Sequence, residues 1–255
     1  MTSTNLPRRP IHVAYLEPGA GRRLAYRHRP GRGPTILFLP GYMSDMDGSK
    51  ATALDEWVEV QGRAMLRFDY AGCGSSDGSF EAQSLANWRD DVIAMIDQVA
   101  KGPVVLVGSS MGGWLMLLAA LARPDRVKGL VGIAAAPDFT SWGFSEEQKG
   151  IILADGRLQE PSAYSDQPYV TTRTFWKSGE TLRLLGDTID IHCPVRLLHG
   201  QADPDVPWVL SLQLAERLRS ADVQAIFIKD GDHRLSREQD VALLIRVVDA
   251  LLEAL

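Results

Sequence analysis

Along the chain, short apolar runs rich in branched residues alternate with segments in which apolar positions recur at helical spacing. Ile11–Glu17, Arg23–His28, Thr35–Leu39, Ala64–Phe68, Val104–Val107, Val127–Ile133, Val195–Leu198 and Val223–Ile228 read as eight strands, most of them closed by Gly, Pro or Asp. Helical spacing marks Lys50–Val60, Ser84–Val99, Met111–Ala122, Pro207–Arg219 and Arg237–Ala254. Several strands, such as Val104-Val105-Leu106-Val107, are unbroken apolar runs, the pattern of strands buried on both faces. From Thr35 onward strand and helix alternate. The predicted fold class is therefore α/β: an eight-stranded, mostly parallel sheet with helices on both faces and ligands bound beyond the carboxyl ends of the strands. The first two strands are joined by Pro18-Gly19-Ala20-Gly21, too short for a crossover, so they should pair antiparallel.

One stretch breaks the alternation. Residues 138–192 contain no clear strand but hold Trp142, Phe144, Tyr164, Tyr169, Phe175 and Trp176, in a segment far longer than an ordinary connection. Its place after the sixth strand, on the ligand side, suggests a small helical cap inserted into a single domain spanning residues 1–255. A surface excursion that only packs its aromatics into the core is the plainer alternative.

Composition narrows the class of protein. With 255 residues, 45% of them hydrophobic, the chain can bury a large core without disulfides or metal. Its two cysteines, Cys73 and Cys193, have neither C-x-x-C spacing nor histidines at zinc-ligand spacing, which points to a reducing compartment and no metal. A net charge of −5 supplies no basic field for a phosphate backbone, so nucleic acid is not an expected partner. Arg8 and Arg9 precede no apolar h-region, and the longest apolar run, Trp114–Ala122, is too short to span a bilayer. No membrane insertion is expected, and the expected location is the cytoplasm.

The chemistry concentrates at Gly108-Ser109-Ser110-Met111-Gly112. A G-x-S-x-G pattern is weak by itself, but this one lies between a buried strand and an apolar helix, the setting of a nucleophile held on a sharp turn. A serine hydroxyl needs a general base, and the base needs an orienting group. Of the five histidines, His12, His28, His192 and His199 sit in or at the ends of strands and read as structural or solvent-facing. His233, in the loop Asp230-Gly231-Asp232-His233 before the last helix, is placed to reach the serine. The acid should follow the seventh strand; Asp203 is the first choice, Asp205 its nearest rival and Asp138 a weaker one. Backbone N–H groups of Met111 and of Tyr42, after Pro40-Gly41, are the candidate oxyanion donors.

These segments resemble the α/β-hydrolase superfamily along most of the chain. LPGYMSDMDGSKA (39–51), RFDYAGCGSSDG (67–78), VGSSMGGWLMLLAA (107–120), CPVRLLHGQADPDVPW (193–208) and DHRLS (232–236) resemble an animal mitochondrial branch described as palmitoyl-protein thioesterases that also cleave acyl glucuronides. The resemblance implies Ser110, Asp203 and His233 as a catalytic triad, with Tyr42 and Met111 as oxyanion donors. It covers the cap poorly, and Pro40-Gly41 stands where many superfamily members carry His-Gly. It implies hydrolysis of acyl thioesters or esters on a small-molecule or acylated-protein substrate, with no cofactor, and leaves the oligomeric state open.

Two alternatives are weighed beside it. A carboxylesterase for polar esters or acyl glucuronides could use Arg173 or Arg183 to meet a glucuronate, and a non-catalytic ligand-binding protein could share the fold. Gly72-Cys73-Gly74-Ser75-Ser76 lacks the Lys of a phosphate-binding loop and reads as a structural turn near Asp69. Asp45 and Lys50 are expected to pair beside the oxyanion turn. If His233 is the base, activity should rise through roughly pH 6–7.

Overall fold

Val104–Ser109 (β5) supplies the middle of the sheet, and its Val104-Val105-Leu106-Val107 run is wholly inaccessible to solvent. The computed structural model describes residues 11–19, 22–162 and 167–255; Arg8, Arg9, Tyr164 and part of the 18–21 turn lie outside them. Around β5 lie Ala14–Gly19 (β1), Arg22–Arg29 (β2), Arg32–Leu39 (β3), Arg63–Phe68 (β4), Val127–Ile133 (β6) and two later strands. Residues 157–160 and 169–172 form β7 and β8, and Val195–Gly200 and Val223–Ile228 are β9 and β10. The eight-stranded sheet has the order β1-β2-β4-β3-β5-β6-β9-β10. It is parallel from β4 to β10, and β1 and β2 run antiparallel at one edge, Ala14 facing Tyr26 and Tyr26 facing Phe68.

Helices cover both faces, as the alternation requires. Leu85–Ala94 (α2), Met111–Ala122 (α3) and, through Leu214, Val209–Arg217 (α7) pack on one side. Ser49–Gln61 (α1) and Glu238–Glu253 (α8) pack on the other. In α8, Asp240, Leu244, Val247, Val248, Leu251 and Leu252 are buried, the i, i+4, i+7, i+8 stripe of an amphipathic helix. The predicted Ser84–Val99 helix becomes α2 followed by a π-helical turn over Met95–Val99.

The segment between β6 and β9 differs from the helical cap expected. It contains Phe139–Trp142 (α4), Glu146–Asp155 (α5) and Arg173–Thr181 (α6), but also the antiparallel hairpin β7–β8, with Leu158 opposite Thr171 and Glu160 opposite Tyr169. These strands have four residues each, and in Arg157-Leu158-Gln159-Glu160 only Leu158 is buried. Pairing and the packing of Val170, Thr171 and Thr172 against the body hold them, so hydrophobic alternation alone does not reveal them.

Candidate active site

Ser110 stands between β5 and α3 with φ +54° and ψ −119°, a backbone region a residue with a side chain occupies at a cost of about 1–3 kcal/mol. Its neighbours show how the turn is made tight enough. A Cβ on Gly108 would lie 2.4 Å from the Gly112 oxygen, and one on Gly112 only 2.1 Å from the Leu39 oxygen at the end of β3. Both positions require glycine because backbone runs against backbone. The turn is pinned further by the Ser110 N–H donating to the Ile133 carbonyl at 2.9 Å.

His233 and Asp203 arrive from the neighbouring strand ends, after β10 and β9. His233 Nε2 lies 3.2 Å from Ser110 Oγ, and His233 Nδ1 lies 2.9 Å from Asp203 Oδ2. The other carboxylate oxygen, Oδ1, accepts the N–H groups of Asp205 at 2.8 Å and Val206 at 2.9 Å. Burial pushes the Asp203 carboxyl up, but hydrogen bonds from His199 and His233, the His233 charge and the Val206 amide prevail and hold it well below the usual carboxylate range. The structure thus brings Ser110, His233 and Asp203 into one hydrogen-bonded series. His12 and His192 are exposed on the outside, and His28 lies in β2. His199, read from the sequence as structural, sits 3.2 Å from Asp203 Oδ2 with no exposed surface.

The rival acids do other work. Asp205 gives its backbone N–H to Asp203. Asp138 accepts from Leu184 and Leu185 N–H, both at 2.8 Å, and so ties the end of β6 to the segment after α6.

The Gly41–Tyr42 turn lies against the nucleophile: a Cβ on Gly41 would stand 3.4 Å from Ser110 Cβ. Met111 is the first residue of α3, where backbone N–H groups lack helical partners. Among the described residues no protein acceptor is recorded for the N–H of Tyr42 or of Met111. The Tyr42 side chain reaches the β7–β8 hairpin, its hydroxyl donating to the Val170 carbonyl in β8 at 2.6 Å. Its ring packs against Phe175 and Phe80, centroids 4.9 and 5.2 Å away. The loop behind is braced by Asp69, which accepts from Met46 N–H at 2.7 Å and Ser75 N–H at 2.8 Å, so the Gly72–Ser76 segment is a structural turn.

Ser110 and His233 open into a cavity of about 480 Å³ walled by Tyr42, Phe139, Trp142, Phe144 and Tyr169, with Lys50, Arg234, Asp45, Glu160 and Asp205 also on its lining. The expected Asp45–Lys50 pair does not form. Lys50 Nζ donates to the Arg234 carbonyl, and Asp45 accepts from the Asp47 N–H, because the α1 helix turns Lys50 toward the His233 loop. Burial lowers the Lys50 ammonium to about 8. Arg173 and Arg183 are not on this cavity: Arg173 donates to the Leu153 carbonyl, and Arg183 faces a separate cleft beside Glu180. Among the described residues, one cluster has metal-ligand spacing, Asp203, Asp205 and His233, and it is the series already described. Burial raises Cys73 to about 12 and Cys193 to about 11, so neither thiol competes as a nucleophile.

A serine on a strained strand-to-helix turn at the carboxyl edge of such a sheet defines the class: a hydrolase built on the α/β-hydrolase fold. The chain belongs to the alpha/beta hydrolase family, whose model matches residues 36–246. It is 45% identical over 236 residues to human palmitoyl-protein thioesterase ABHD10, mitochondrial, covering 91% of this chain and 77% of that protein. The solved alpha/beta hydrolase domain-containing protein 10 from mouse superposes with a TM-score of 0.89 at 42% identity, over 95% of this chain and 99% of that one. A bacterial chain from Agrobacterium vitis S4 superposes equally well, TM-score 0.89 at 37% identity, over 96% and 100%.

Proposed function

We propose that this chain is a serine hydrolase that releases long acyl groups from thioesters, with acylated protein as the substrate class. The observation that carries this reading is the continuous series Asp203–His233–Ser110 opening into an aromatic-walled cavity. In the proposed reaction Ser110 Oγ attacks the acyl carbonyl carbon while its proton passes to His233 Nε2. Asp203 accepts the His233 Nδ1–H, which fixes the tautomer and stabilises the imidazolium. The N–H groups of Tyr42 and Met111 receive the developing oxyanion, a contribution of about 2.7–4 kcal/mol for each such donor. The leaving thiolate takes the proton from His233. Water, deprotonated by His233, then frees the carboxylic acid and restores Ser110.

The names of the human and mouse relatives support the acyl-thioester assignment, and the aromatic wall supports a long chain. A second reading, hydrolysis of acyl glucuronides or other polar esters, draws on Lys50 and Arg234 at the same cavity rather than on Arg173 or Arg183. For location, no described helix is long and apolar enough to cross a membrane. The cytoplasm remains the proposed site on the two unpaired cysteines, and the mitochondrial names of the animal relatives make the mitochondrion its rival. Cell fractionation separates the two.

The deciding experiment measures kcat/KM for acyl groups of increasing length, each as matched thioester and oxygen ester, with wild type and Ser110→Ala. A maximum at long thioesters that vanishes in the variant is expected. A preference for short or oxygen esters that still needs Ser110 would keep the triad and discard the substrate. Absence of Ser110 labelling by a fluorophosphonate would favour a non-catalytic binding protein.

A further inference from the structure

His199, one residue before the end of β9, has no exposed surface, yet both ring nitrogens are engaged. Nδ1 lies 2.7 Å from Ser211 Oγ on α7; Nε2 lies 3.0 Å from the Val206 carbonyl and 3.2 Å from Asp203 Oδ2. A carbonyl and an ionised carboxylate only accept, so Nε2 carries the proton and Nδ1 accepts from the Ser211 hydroxyl. The partners, not the ring, decide the tautomer.

Asp203 Oδ2 therefore faces two imidazole nitrogens, hydrogen-bonded to His233 Nδ1 at 2.9 Å and lying 3.2 Å from His199 Nε2, whose one proton is shared with the Val206 carbonyl, while Oδ1 receives two backbone N–H groups. Three hydrogen bonds and the His199 contact engage both oxygens, which restrains rotation of the carboxylate. We propose that His199 is a positioning residue for the triad, holding Asp203 ionised and in the plane from which it orients His233. This rests on the triad reading given above. A histidine that merely filled the core would be satisfied by Ser211 and Val206; the shared Oδ2 is the contact that filling does not explain. Around this pair the polar groups are Ser211 from α7, Asp205 on the same loop, and His233 with Lys50, Asp232 and Arg234 beyond it; Phe227 of β10, opposite His199, is apolar.

The test compares His199→Asn with His199→Gln, using p-nitrophenyl octanoate. The Gln amide nitrogen falls near imidazole Nε2 and can still donate to Asp203; that of Asn falls near Nδ1 and reaches only Ser211. His199→Gln is expected within about threefold of wild-type kcat, and His199→Asn about tenfold to a hundredfold lower with KM little changed. In His199→Asn the acid limb of the pH profile should move up by about half to one unit, because the undivided Asp203 charge favours the imidazolium. An unshifted profile with wild-type kcat in His199→Asn, or an equal loss in His199→Gln, overturns the proposal. If His199→Asn does not fold, His199→Leu, which fills the space without a donor, is read in the same way: a loss of kcat with the acid limb moved up supports the role, and a wild-type kcat and pH profile refute it. Failure of the triad reading looks different, as hydrolysis that survives Ser110→Ala.

Discussion

Replacing Tyr42 with phenylalanine removes one oxygen atom and tests how the turn beneath the nucleophile is coupled to the cap. The ring stays among Phe80, Phe139 and Phe175, so packing is kept. What is lost is the 2.6 Å donation to the Val170 carbonyl, on a strand residue that is itself buried. A buried acceptor deprived of its donor costs about 1–3 kcal/mol. For a chain of this size each kcal/mol lowers Tm by about 2–4 °C, so Tyr42→Phe should melt roughly 2–12 °C below wild type. The β7–β8 hairpin also walls the cavity through Glu160, Tyr169 and Thr171, so kcat/KM should fall more for palmitoyl than for acetyl thioesters. Calorimetry and the ratio of the two kcat/KM values measure both effects. A Tm within about 1 °C of wild type together with an unchanged ratio would refute the coupling.

Other outcomes follow from the same geometry. Phe144→Ala removes an aromatic wall of the cavity, and at about 1.5–3 kcal/mol of apolar burial it should lower kcat/KM for long acyl donors roughly tenfold to a hundredfold while sparing acetyl donors; equal losses at every length would remove Phe144 from the acyl path. With Cys73 raised to about 12 and Cys193 to about 11, the thiolate fractions at pH 8 are about one in ten thousand and one in a thousand. Iodoacetamide should therefore leave the folded protein active and nearly unlabelled at pH 8, with labelling gaining as pH rises, and should label both cysteines in urea; rapid labelling of the native form at pH 8 would contradict the burial argument.

Short, mostly apolar runs closed by turn signals announce themselves, which is why buried Val127–Ile133 and the half-buried edge strand Val223–Ile228 are both read from the sequence with the bounds they have in the fold. The helix Met111–Ala122 is equally plain, apolar nearly all round because sheet, α2 and cap enclose it. Ser110, His233 and Asp203 are legible because each lies at a strand end where the topology delivers side chains to one edge. The β7–β8 hairpin is not legible, since its residues are half polar and its order comes from contacts distant in sequence, Tyr42 to Val170 above all. His199 is missed for a related reason. A histidine inside a strand carries no local mark of its partner, and only the turn that folds Asp203 back over the end of β9 supplies one. Lys50 likewise finds its acceptor 184 residues away in the chain, at Arg234, rather than at nearby Asp45.

The position of the cap bears on how such a protein can diversify. β6 and β9 are hydrogen-bonded neighbours, Leu130 beside Val195 and Ile133 beside Leu198, and they run in the same direction. A chain leaving the top of one must travel back to the bottom of the next in any case, so residues 134–194 are an enlarged version of a link the architecture already demands. Lengthening, shortening or exchanging that link alters the substrate chamber, while Ser110, Asp203 and His233 stay anchored to strand ends outside it. Selection can thus act on what is hydrolysed and on how it is hydrolysed as nearly separate traits, inherited through different stretches of the same chain.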